Sequence, residues 1–355
     1  MKVIISAGGT GGHIYPALAI INKLKEKDKN VDILYIGTTR RMEKDLIPNM
    51  GINYEGIDVT GLAKNPIKMV KSLYGILKGV KQCKKIMKKF KPDIVIGVGG
   101  YVTVPVVLAA KKLGIKIILH EQNSIPGKAN KFLSKYADKV CVSMKSSLDY
   151  FKNGVYTGNP RSEEVNNAKP IKKEDIGLTS SKKLVVITTG SLGASTVNDI
   201  VISSLSKFSK ENYEVLLITG KDGYNNYKKI KKPSNVFIVP YVDDMPRLLK
   251  VTDLIVSRAG ATTIAEITSL GIPSILIPSP YVPNNHQVLN AKDLKDNGAT
   301  IMIEEKDLSS DELLYQINRI IKDKKVSKEL QDNAKKLGVK DSASKIYKEI
   351  IKITK

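Results

Sequence analysis

Residues 8–13 read Gly-Gly-Thr-Gly-Gly-His, directly after the apolar residues 3–5 and directly before a helical pattern over residues 15–27. This order predicts a strand, a glycine-rich turn and a helix. Glycines let the backbone turn sharply and approach a ligand closely, and the start of a helix presents unpaired N–H groups to an anion. The stretch therefore predicts a phosphate-binding loop at the end of the first strand of an α/β domain.

Two familiar nucleotide-binding loops fit this stretch poorly. It lacks the Lys-Ser/Thr ending of a Walker loop, and its glycine spacing differs from the Gly-x-Gly-x-x-Gly dinucleotide fingerprint. An ATPase and a dehydrogenase are therefore disfavoured. Taken alone, the loop is also compatible with a tight strand-to-helix turn of any α/β protein, so the rest of the chain has to decide.

Length and composition bound the class of protein. The chain has 355 residues, 42% of them hydrophobic, and exceeds the roughly 250–300 residues at which a single core stops growing, so we expect two domains. No apolar run approaches the roughly 18–20 residues of a membrane span, and residues 3–7 are too short for the apolar part of a signal peptide, so we expect a protein that stays in the cytoplasm. Cys83 and Cys141 fit no metal-binding pattern and are expected to be buried, reduced thiols.

Strand-like apolar runs alternate with helical patterns along the whole chain. In the first half these runs are residues 3–5, 31–36, 94–98, 115–119 and 140–142, which predicts a parallel, Rossmann-like sheet. In the second half they are residues 184–188, 215–218, 236–239, 254–256, 274–277 and 300–303. A polar stretch that follows Thr157-Gly158-Asn159-Pro160 and runs to Lys183 predicts the boundary.

The predicted fold class is therefore α/β, with two Rossmann-like domains. We expect one domain over residues 1–160 plus 341–355 and a second over residues 161–340, with the helix at residues 342–355 packing back on the first. Residues 190–195 follow the first strand of the second half as residues 8–12 follow that of the first, a weak internal repeat. Because open α/β sheets bind ligands at the carboxyl ends of their strands, we expect the two loops to face one cleft.

Two further motifs of the first half end predicted strands. Residues 97–101 contain Gly99, Gly100 and Tyr101, which either present backbone N–H groups to a ligand or allow close helix–sheet packing. In His120-Glu121-Gln122-Asn123, Glu121 is a possible base or a capping group, and His120 is more simply a structural histidine. Asn123 is the better ligand contact.

Two motifs of the second half point to a sugar nucleotide. Ala261 and Thr262 begin a helix and are small enough to admit a phosphate, and Glu266 one turn later can accept hydrogen bonds from ribose hydroxyls. A surface glutamate favoured by the helix dipole is the alternative. Residues 278–291 supply side-chain amides suited to sugar hydroxyls, although such a loop can also be a plain turn.

Together these motifs resemble the MurG family of inverting glycosyltransferases, which add N-acetylglucosamine to the lipid-linked muramyl-pentapeptide precursor of the bacterial cell wall. The similarity runs the length of the chain, and the joint order is far more specific than any one motif. It rests on GGTGGH (8–13), GGY (99–101), HEQN (120–123), TGNP (157–160), GSLGAS (190–195), SRAG (257–260) with AE (265–266), and HQ (286–287) with NA (290–291).

The resemblance implies a GT-B fold, with the acceptor on the first domain and UDP-N-acetylglucosamine mainly on the second. It also implies the contacts of individual residues. Thr10, Gly11 and Gly12 would face the sugar and diphosphates, Asn123 and Gln287 the sugar, Arg161 the nucleotide, Ser191 the UDP phosphates, Val242 the uracil through its backbone, and Glu266 the ribose.

Three positions depart from the family pattern. Thr189 stands where the third glycine loop usually begins with glycine, and Leu192 replaces a glutamine and so removes one amide contact. Arg161 directly follows Asn-Pro, a spacing that varies in the family. His286 stands where some members have a second glutamine.

Inversion at the anomeric carbon needs a single displacement, with a base for the acceptor 4-hydroxyl and N–H groups for the departing diphosphate. His13 is the predicted base, because imidazole titrates near neutral pH and lies beside the phosphate loop; Glu121 is the second choice. A loop-shaping role for His13 is the alternative. No Asp-x-Asp occurs, so we expect no obligatory metal and no other cofactor.

A lysine-rich segment indicates a further partner. The formal net charge is +23, and the segment between Asp58 and Asp93 has no acidic residue. Its lysines alternate with apolar residues, so we expect it to bind anionic lipid at the cytoplasmic side of the cell membrane as well as to pack on the core. The lysines are Lys64, Lys68, Lys71, Lys78, Lys81, Lys84, Lys85, Lys88, Lys89 and Lys91.

Two other functions compete with this interpretation. A UDP-N-acetylglucosamine epimerase would share the fold and the donor, but would give no reason for a lysine-rich, membrane-seeking face. A nucleic-acid-binding protein would explain the charge, but the chain has no Trp and only 6% aromatic residues, and its basic segment has no arginine, so we expect no nucleic-acid partner.

Overall fold

The computed structural model describes residues 1–61, 65–190, 193–221 and 223–355. These residues form two compact units. Unit 1 comprises Met1–Arg161 and Asp341–Lys355, and unit 2 comprises Ser162–Lys340. Arg161 therefore belongs to unit 1, and unit 2 begins at the next residue, Ser162.

Unit 1 is built on a parallel sheet. Its described strands are β1 (Lys2–Ala7), β2 (Asp32–Thr38), β3 (Asn53–Ile57), β4 (Ile94–Gly99), β5 (Lys116–Glu121), β6 (Lys139–Val142) and β7 (Gly154–Tyr156). They pair in the order β3-β2-β1-β4-β5-β6-β7, and every pairing is parallel. The carboxyl ends of all these strands consequently meet at one edge, where the loops after β1, β4 and β5 come together.

Helices cover both faces of this sheet. They are α1 (Gly11–Lys27), α2 (Glu43–Asn49), α3 (Pro66–Phe90), α4 (Thr103–Lys112), α5 (Lys128–Leu133) and, after unit 2, α15 (Ser342–Thr354). Alternate strand residues face opposite layers: Val3 and Ile5 pack in the core with α1 and α15, whereas Ile4 packs in the core with α3 and α4. Burial of Ile346 and Ile350 in the first of these layers holds the final helix on unit 1.

Unit 2 repeats the architecture with its own sheet. The strands are β8 (Lys183–Thr188), β9 (Tyr213–Ile218), β10 (Val236–Val239), β11 (Leu254–Ser257), β12 (Ser274–Leu276) and β13 (Ile301–Met302). They pair in the parallel order β10-β9-β8-β11-β12-β13. In both units the first strand lies near the middle of the sheet and the order of the strands reverses beside it, which is the arrangement that opens a ligand crevice.

Helices complete unit 2. They are α6 (Arg161–Asn167, whose first residue belongs to unit 1), α7 (Ser195–Ser203), α8 (Leu205–Phe208), α9 (Tyr224–Tyr227), α10 (Met245–Leu249), α11 (Ala261–Leu270), α12 (His286–Asp296), α13 (Ser310–Lys322) and α14 (Lys324–Leu337). One hydrophobic core contains side chains of β8, β9 and β11 together with those of α7, α13 and α14.

The apolar runs predicted the central strands correctly, and the expectation of two Rossmann-like domains is confirmed. Two strands were not predicted. β3 alternates exposed and half-buried residues at the sheet edge, and β7 has only three half-buried residues, so neither has an apolar run.

Two other expectations concern the cysteines and membrane-spanning helices. Cys83 and Cys141 are both buried free thiols, and burial raises the pKa of each to about 12. No helix among the described residues is long and apolar enough to cross a membrane.

Candidate active site

The first glycine loop joins β1 to α1. Gly9 has a φ of +93°, a region that L side chains rarely adopt, so this turn requires glycine. Thr10 is extended, and the N–H groups of His13 and Ile14 donate to its carbonyl at 3.1 and 3.3 Å. The preceding N–H groups, those of Gly11 and Gly12, lie in the first turn of α1, where a helix offers donors to an anion.

The loop after β4 interlocks with this first loop. The Gly8 N–H donates to the Gly99 carbonyl at 3.3 Å. Gly99 and Gly100 have φ values of +123° and +88°, and a Cβ at Gly100 would collide with the Gly8 carbonyl oxygen. The backbone of one loop therefore fixes the other, and Tyr101 follows directly, two residues before α4 begins.

His13 lies at the junction of these two loops. Its Nδ1 is 3.2 Å from the Gly8 carbonyl oxygen, and a Cβ at Gly99 would collide with the imidazole ring. Because a carbonyl oxygen only accepts hydrogen bonds, Nδ1 carries the proton that is donated, and in the neutral ring the lone pair lies on Nε2. This tautomer is the one that a base acting through Nε2 requires.

His120 is held as a neutral structural group. The Gln122 side-chain amide donates to its Nδ1 at 2.9 Å, and its Nε2 lies 3.3 Å from the Gly158 carbonyl oxygen, to which it donates. Burial lowers its pKa to about 4; the hydrogen bond to Gly158 opposes that shift and the charge of His13 adds to it. Gln122 also donates to the Val98 carbonyl at 2.7 Å, so this pair ties β5 to β4.

Glu121 is buried, and its two oxygens accept hydrogen bonds from its own loop. Oε1 accepts from the backbone N–H and the side-chain amide of Asn123, at 3.0 and 3.2 Å. Oε2 accepts from the Gly127 N–H at 3.0 Å and from the Asn130 amide at 2.9 Å. The carboxylate therefore orients Asn123. Asn130 was not singled out in the sequence, since nothing in an isolated helical Asn signals a contact that depends on α5 folding over β5.

The glycine loop of unit 2 joins β8 to α7. The Thr189 hydroxyl accepts from the Ala194 N–H at 3.0 Å, and the Asn198 amide donates to the Thr219 carbonyl at 3.0 Å. Gly193 has a φ of +78°, and a Cβ there would collide with the same carbonyl. Thr189, a departure from the family pattern, thus closes the loop with its hydroxyl. Ser191 and Leu192 lie outside the described residues.

The start of α11 is held by a partly buried ion pair. Arg258 Nη1 lies 2.6 Å from Glu305 Oε2 and donates to the Ile277 carbonyl at 3.1 Å. The helix then begins with Ala261 and Thr262, and Thr262 Oγ1 is buried with no hydrogen-bond partner among the described residues. Glu266, in the second turn, is 6% exposed, so it is not the solvent-facing glutamate of the alternative interpretation.

The other sugar-nucleotide residues lie in loops of the units. Gln287 is the second residue of α12, and its Oε1 accepts from the Ser279 N–H at 2.8 Å. Asn284 and Asn285 just before it both have positive φ, 55° and 53°, a strained pair of the kind that collects at functional loops. Val242 is half-buried after β10.

Arg161 lies in unit 1 beside the α1 helix. Its guanidinium is 5.6 Å from the centre of the Tyr15 ring, and its backbone N–H donates to Asn159 Oδ1 at 3.1 Å. Within the described ranges, no three His, Cys, Asp or Glu side chains come together as metal ligands would.

Comparisons with protein families match both units. The model of the glycosyltransferase family 28 N-terminal domain matches residues 3–142, and that of the glycosyltransferase family 28 C-terminal domain matches residues 184–346.

Curated relatives match the chain over its length. One from Bacillus cytotoxicus, named UDP-N-acetylglucosamine–N-acetylmuramyl-(pentapeptide) pyrophosphoryl-undecaprenol N-acetylglucosamine transferase, is 46% identical, and the match covers 98% of this chain and 98% of the relative. A relative from Bacillus licheniformis with the same name is also 46% identical, over 98% of this chain and 97% of the relative.

Solved structures match as well. MurG from Acinetobacter baumannii aligns with a TM-score of 0.79 and 27% identity, over 99% of both chains. A putative UDP-N-acetylglucosamine 2-epimerase from Listeria monocytogenes aligns with a TM-score of 0.72 at 12% identity, over 98% of this chain and 95% of its own, and at that identity shows a shared fold alone.

Proposed function

The chain belongs to glycosyltransferase family 28 and has the GT-B fold of two Rossmann-like units, and on that premise we propose that it is an inverting hexosyltransferase of peptidoglycan synthesis. It transfers N-acetylglucosamine from UDP-N-acetylglucosamine to the 4-hydroxyl of the muramyl sugar of undecaprenyl-diphospho-muramyl-pentapeptide, the step from lipid I to lipid II. Full-length relatives at 46% identity carry the name of this transferase, which favours it over an epimerase and over a nucleic-acid-binding protein.

The observation that carries the mechanism is the contact between Nδ1 of His13 and the Gly8 carbonyl oxygen. With Nδ1 donating to the Gly8 carbonyl at 3.2 Å, the imidazole offers the lone pair of Nε2 beside the first turn of α1. In our proposal Nε2 takes the proton of the acceptor 4-hydroxyl. At the same time the oxygen of that hydroxyl attacks the anomeric carbon from the face opposite UDP. The attack and the departure of UDP are one displacement, so no covalent enzyme intermediate is formed and the configuration inverts.

Backbone donors of unit 1 are assigned to the acceptor, whose diphosphate keeps its charge throughout the step. The N–H groups near Thr10, Gly11 and Gly12, and the interlocked loop of Gly99 and Gly100, serve the acceptor diphosphate and sugar. Tyr101 lies at the end of that loop, and we assign it to the same acceptor. We assign this acceptor site to residues 1–160 with 341–355.

Glu121 is better suited to positioning than to proton transfer. Its carboxylate accepts four hydrogen bonds from Asn123, Gly127 and Asn130, and it is 1% exposed. A base needs an oxygen that can reach the substrate, whereas these oxygens are occupied by the loop. We therefore propose that Glu121 orients Asn123 toward a sugar hydroxyl and that His13 is the base.

The donor is assigned to residues 161–340. Ala261 and Thr262 at the start of α11 face the diphosphate, with Ser191 of the glycine loop, and Glu266 accepts from the ribose hydroxyls. The orphaned Thr262 hydroxyl supports a polar ligand there. Val242 meets the uracil through its backbone, Arg161 approaches the nucleotide, and Gln287, whose Oε1 is already bonded to the Ser279 N–H, directs its amide N–H groups to the sugar.

A surface on α3 supports contact with a membrane. Five large apolar side chains of its first half are 40–70% exposed: Met69, Val70, Leu73, Tyr74 and Leu77. Exposed lysines flank them on the same helix, whereas Val80, Cys83 and Met87 face the core. We call the exposed apolar side chains and lysines of residues 69–89 the α3 surface. Lys64 and the side chain of Lys68 lie outside the described part of the chain.

We propose that the α3 surface binds anionic lipid at the cytoplasmic side of the cell membrane and so brings the site to its lipid-borne acceptor. Each lysine near such a leaflet contributes about 1 kcal/mol, and the apolar residues enter the interface. Cosedimentation with phosphatidylglycerol and phosphatidylcholine vesicles tests this. Tyr74→Glu should weaken binding to the anionic vesicles, and Tyr315→Glu, at a tyrosine of unit 2 that is 61% exposed, is the matched control. Equal binding by the two variants would contradict the assignment.

The function itself is tested by UDP release from UDP-N-acetylglucosamine and a short-chain analogue of the muramyl-pentapeptide lipid. We expect release that requires the acceptor, with a disaccharide product and little reaction of UDP-glucose. Turnover of the donor without acceptor would point to an epimerase instead. Salt-dependent binding of DNA by a protein with no affinity for UDP-sugar would support the nucleic-acid alternative.

A further inference from the structure

Glu43 is a fully buried carboxylate behind the first glycine loop. It is the first residue of α2 and is 0% exposed, although glutamate is rarely buried without partners. Nothing in its sequence context, Arg-Arg-Met-Glu-Lys-Asp, distinguishes it from an ordinary acidic residue in the first turn of a helix. Its contacts do.

The two oxygens of Glu43 join the ends of two strands. Oε1 accepts from the backbone N–H and the hydroxyl of Thr38, at 3.2 and 2.7 Å. Oε2 accepts from the N–H of Gly9 at 3.4 Å, across 34 residues of sequence. One carboxylate therefore links the end of β2 to the turn after β1.

Neighbouring residues make room for this side chain. A Cβ at Gly8 would lie 2.5 Å from Glu43 Oε1, and a Cβ at Gly37 would lie 2.8 Å from its Cγ. The hydroxyls of Tyr35 and Tyr54 donate to the carbonyls of Ala7 and Thr38, at 2.9 and 2.5 Å. Burial first and the charge of Glu43 second raise the pKa of each tyrosine.

Turning the Gly9 N–H toward Glu43 has a consequence for the peptide that precedes it. The Gly8 carbonyl and the Gly9 N–H belong to one planar peptide group and point in opposite directions. A carboxylate that holds the N–H on one side therefore aims the carbonyl to the other side, where it meets His13 Nδ1 at 3.2 Å.

On the basis of the proposed transferase activity, we propose that Glu43 is a positioning residue for the reaction: its carboxylate fixes the Gly8–Gly9 peptide and thereby sets the tautomer and direction of the His13 imidazole. The charge also suits this place. An ionised carboxylate accepts only, so all three bonds on Glu43 are satisfied in one protonation state. The N–H groups of Gly11 and Gly12 follow Gly9 in the chain and are assigned to the diphosphate of the acceptor.

The test is Glu43→Gln, which keeps the side-chain volume but replaces one accepting oxygen with a donating NH2. With the acceptor analogue, kcat should fall by about 10- to 100-fold, the penalty of a slightly misplaced catalytic group, while KM for UDP-N-acetylglucosamine stays unchanged. Asp45→Asn is the matched control, since it removes an exposed carboxylate from the same helical turn. It should leave kcat unchanged.

A second variant and a second readout cover a failure of Glu43→Gln to fold. Thr38→Val removes the hydroxyl that donates to Glu43 at 2.7 Å and should lower kcat by a smaller factor. In 15N NMR the wild-type His13 should carry its proton on Nδ1, and Thr38→Val should increase the population of the other tautomer.

The outcomes separate the two proposals. If the wild-type protein shows no acceptor-dependent turnover, the proposed transferase activity is wrong. An active wild type, with a folded Glu43→Gln variant of equal kcat and an unchanged His13 spectrum, would overturn the role of Glu43 alone. A variant with a lower melting temperature but the same kcat would show that Glu43 serves stability only.

Discussion

The glycine loops of the two units occupy equivalent places but are anchored by different chemistry. In unit 1 the buried carboxylate of Glu43 accepts a hydrogen bond from the Gly9 N–H in the loop after β1, and His13 donates to the Gly8 carbonyl of the same peptide group. In unit 2 the loop after β8 is held by neutral groups, the Thr189 hydroxyl and the Asn198 amide. A glycine also packs against a carbonyl at each loop: Gly100, from the loop after β4, against Gly8 in unit 1, and Gly193 of the loop itself against Thr219 in unit 2.

The difference teaches how one topology serves two tasks. A loop that only binds a diphosphate needs a rigid set of N–H groups, and neutral hydrogen bonds provide it at little electrostatic cost. A loop that also carries a base must fix a tautomer, and a charged acceptor does this more strongly because hydrogen bonds to ionised groups are stronger. This difference supports our proposal that unit 1 carries the base and that unit 2 binds the nucleotide.

The largest expected effect comes from removing the imidazole of unit 1. His13→Ala should lower kcat by about 10²- to 10⁴-fold, the usual contribution of a general base, with UDP binding unchanged by calorimetry. His286→Gln, which removes an imidazole of unit 2 in favour of the residue that some family members have, should change kcat little. Comparable losses of kcat in the two variants would contradict the proposal that the base lies in unit 1.

The second test exchanges the two packing glycines for alanine. Gly100→Ala and Gly193→Ala each place a Cβ at positive φ against a carbonyl, and each should cost about 3 kcal/mol of unfolding free energy. Gly100→Ala should abolish turnover but leave UDP affinity intact, and Gly193→Ala should lower UDP affinity. Gly75→Ala, in α3 with open space around it, should instead stabilise the protein slightly. Loss of UDP binding in Gly100→Ala would contradict the comparison.

The third test uses pH. The pKa of His120 falls from its ordinary 6.5 to about 4 on folding, so between these values the unfolded chain binds more protons. The contribution of His120 to the unfolding free energy is complete above pH 6.5 and is lost as pH falls toward 4. At pH 5 the loss is about 2 kcal/mol. Urea unfolding at pH 7 and pH 5 should show this loss in the wild type and not in His120→Asn. Identical pH dependence in both proteins would rule out a neutral, buried His120 as its source.

The smallest expected effect concerns the neutral anchor of unit 2. Thr189→Val removes the hydroxyl that accepts from the Ala194 N–H at 3.0 Å, and should weaken UDP binding by about 1 kcal/mol, or roughly 5-fold. Thr189→Ser keeps the hydroxyl and should bind as the wild type does. Wild-type affinity in the valine variant would show that the departure from the family's glycine has no role in the loop.

Much of the fold followed from local patterns. Apolar runs and the helical patterns between them predicted the central strands of both sheets, because a strand buried on both faces is apolar at consecutive positions. The edge strands β3 and β7 were not predicted, since a strand beside solvent carries no such run. The glycine motifs located both loops, because a turn at positive φ needs glycine wherever the rest of the chain lies.

The sequence by itself thus determined two parallel α/β units, the place of their glycine loops and the family to which the chain belongs. Only the tertiary structure decided what the side chains near those loops do: the carboxylate of Glu121 is occupied by its own loop, Glu43 holds the Gly9 N–H, and Nδ1 of His13 donates to Gly8. The physical reason is that a local pattern does not show which atoms a side chain meets once its loop has folded. The partners of Glu43 also come from two different strand ends, Thr38 at the end of β2 and Gly9 after β1. They meet only when the order β3-β2-β1-β4-β5 brings the ends of those strands to one edge.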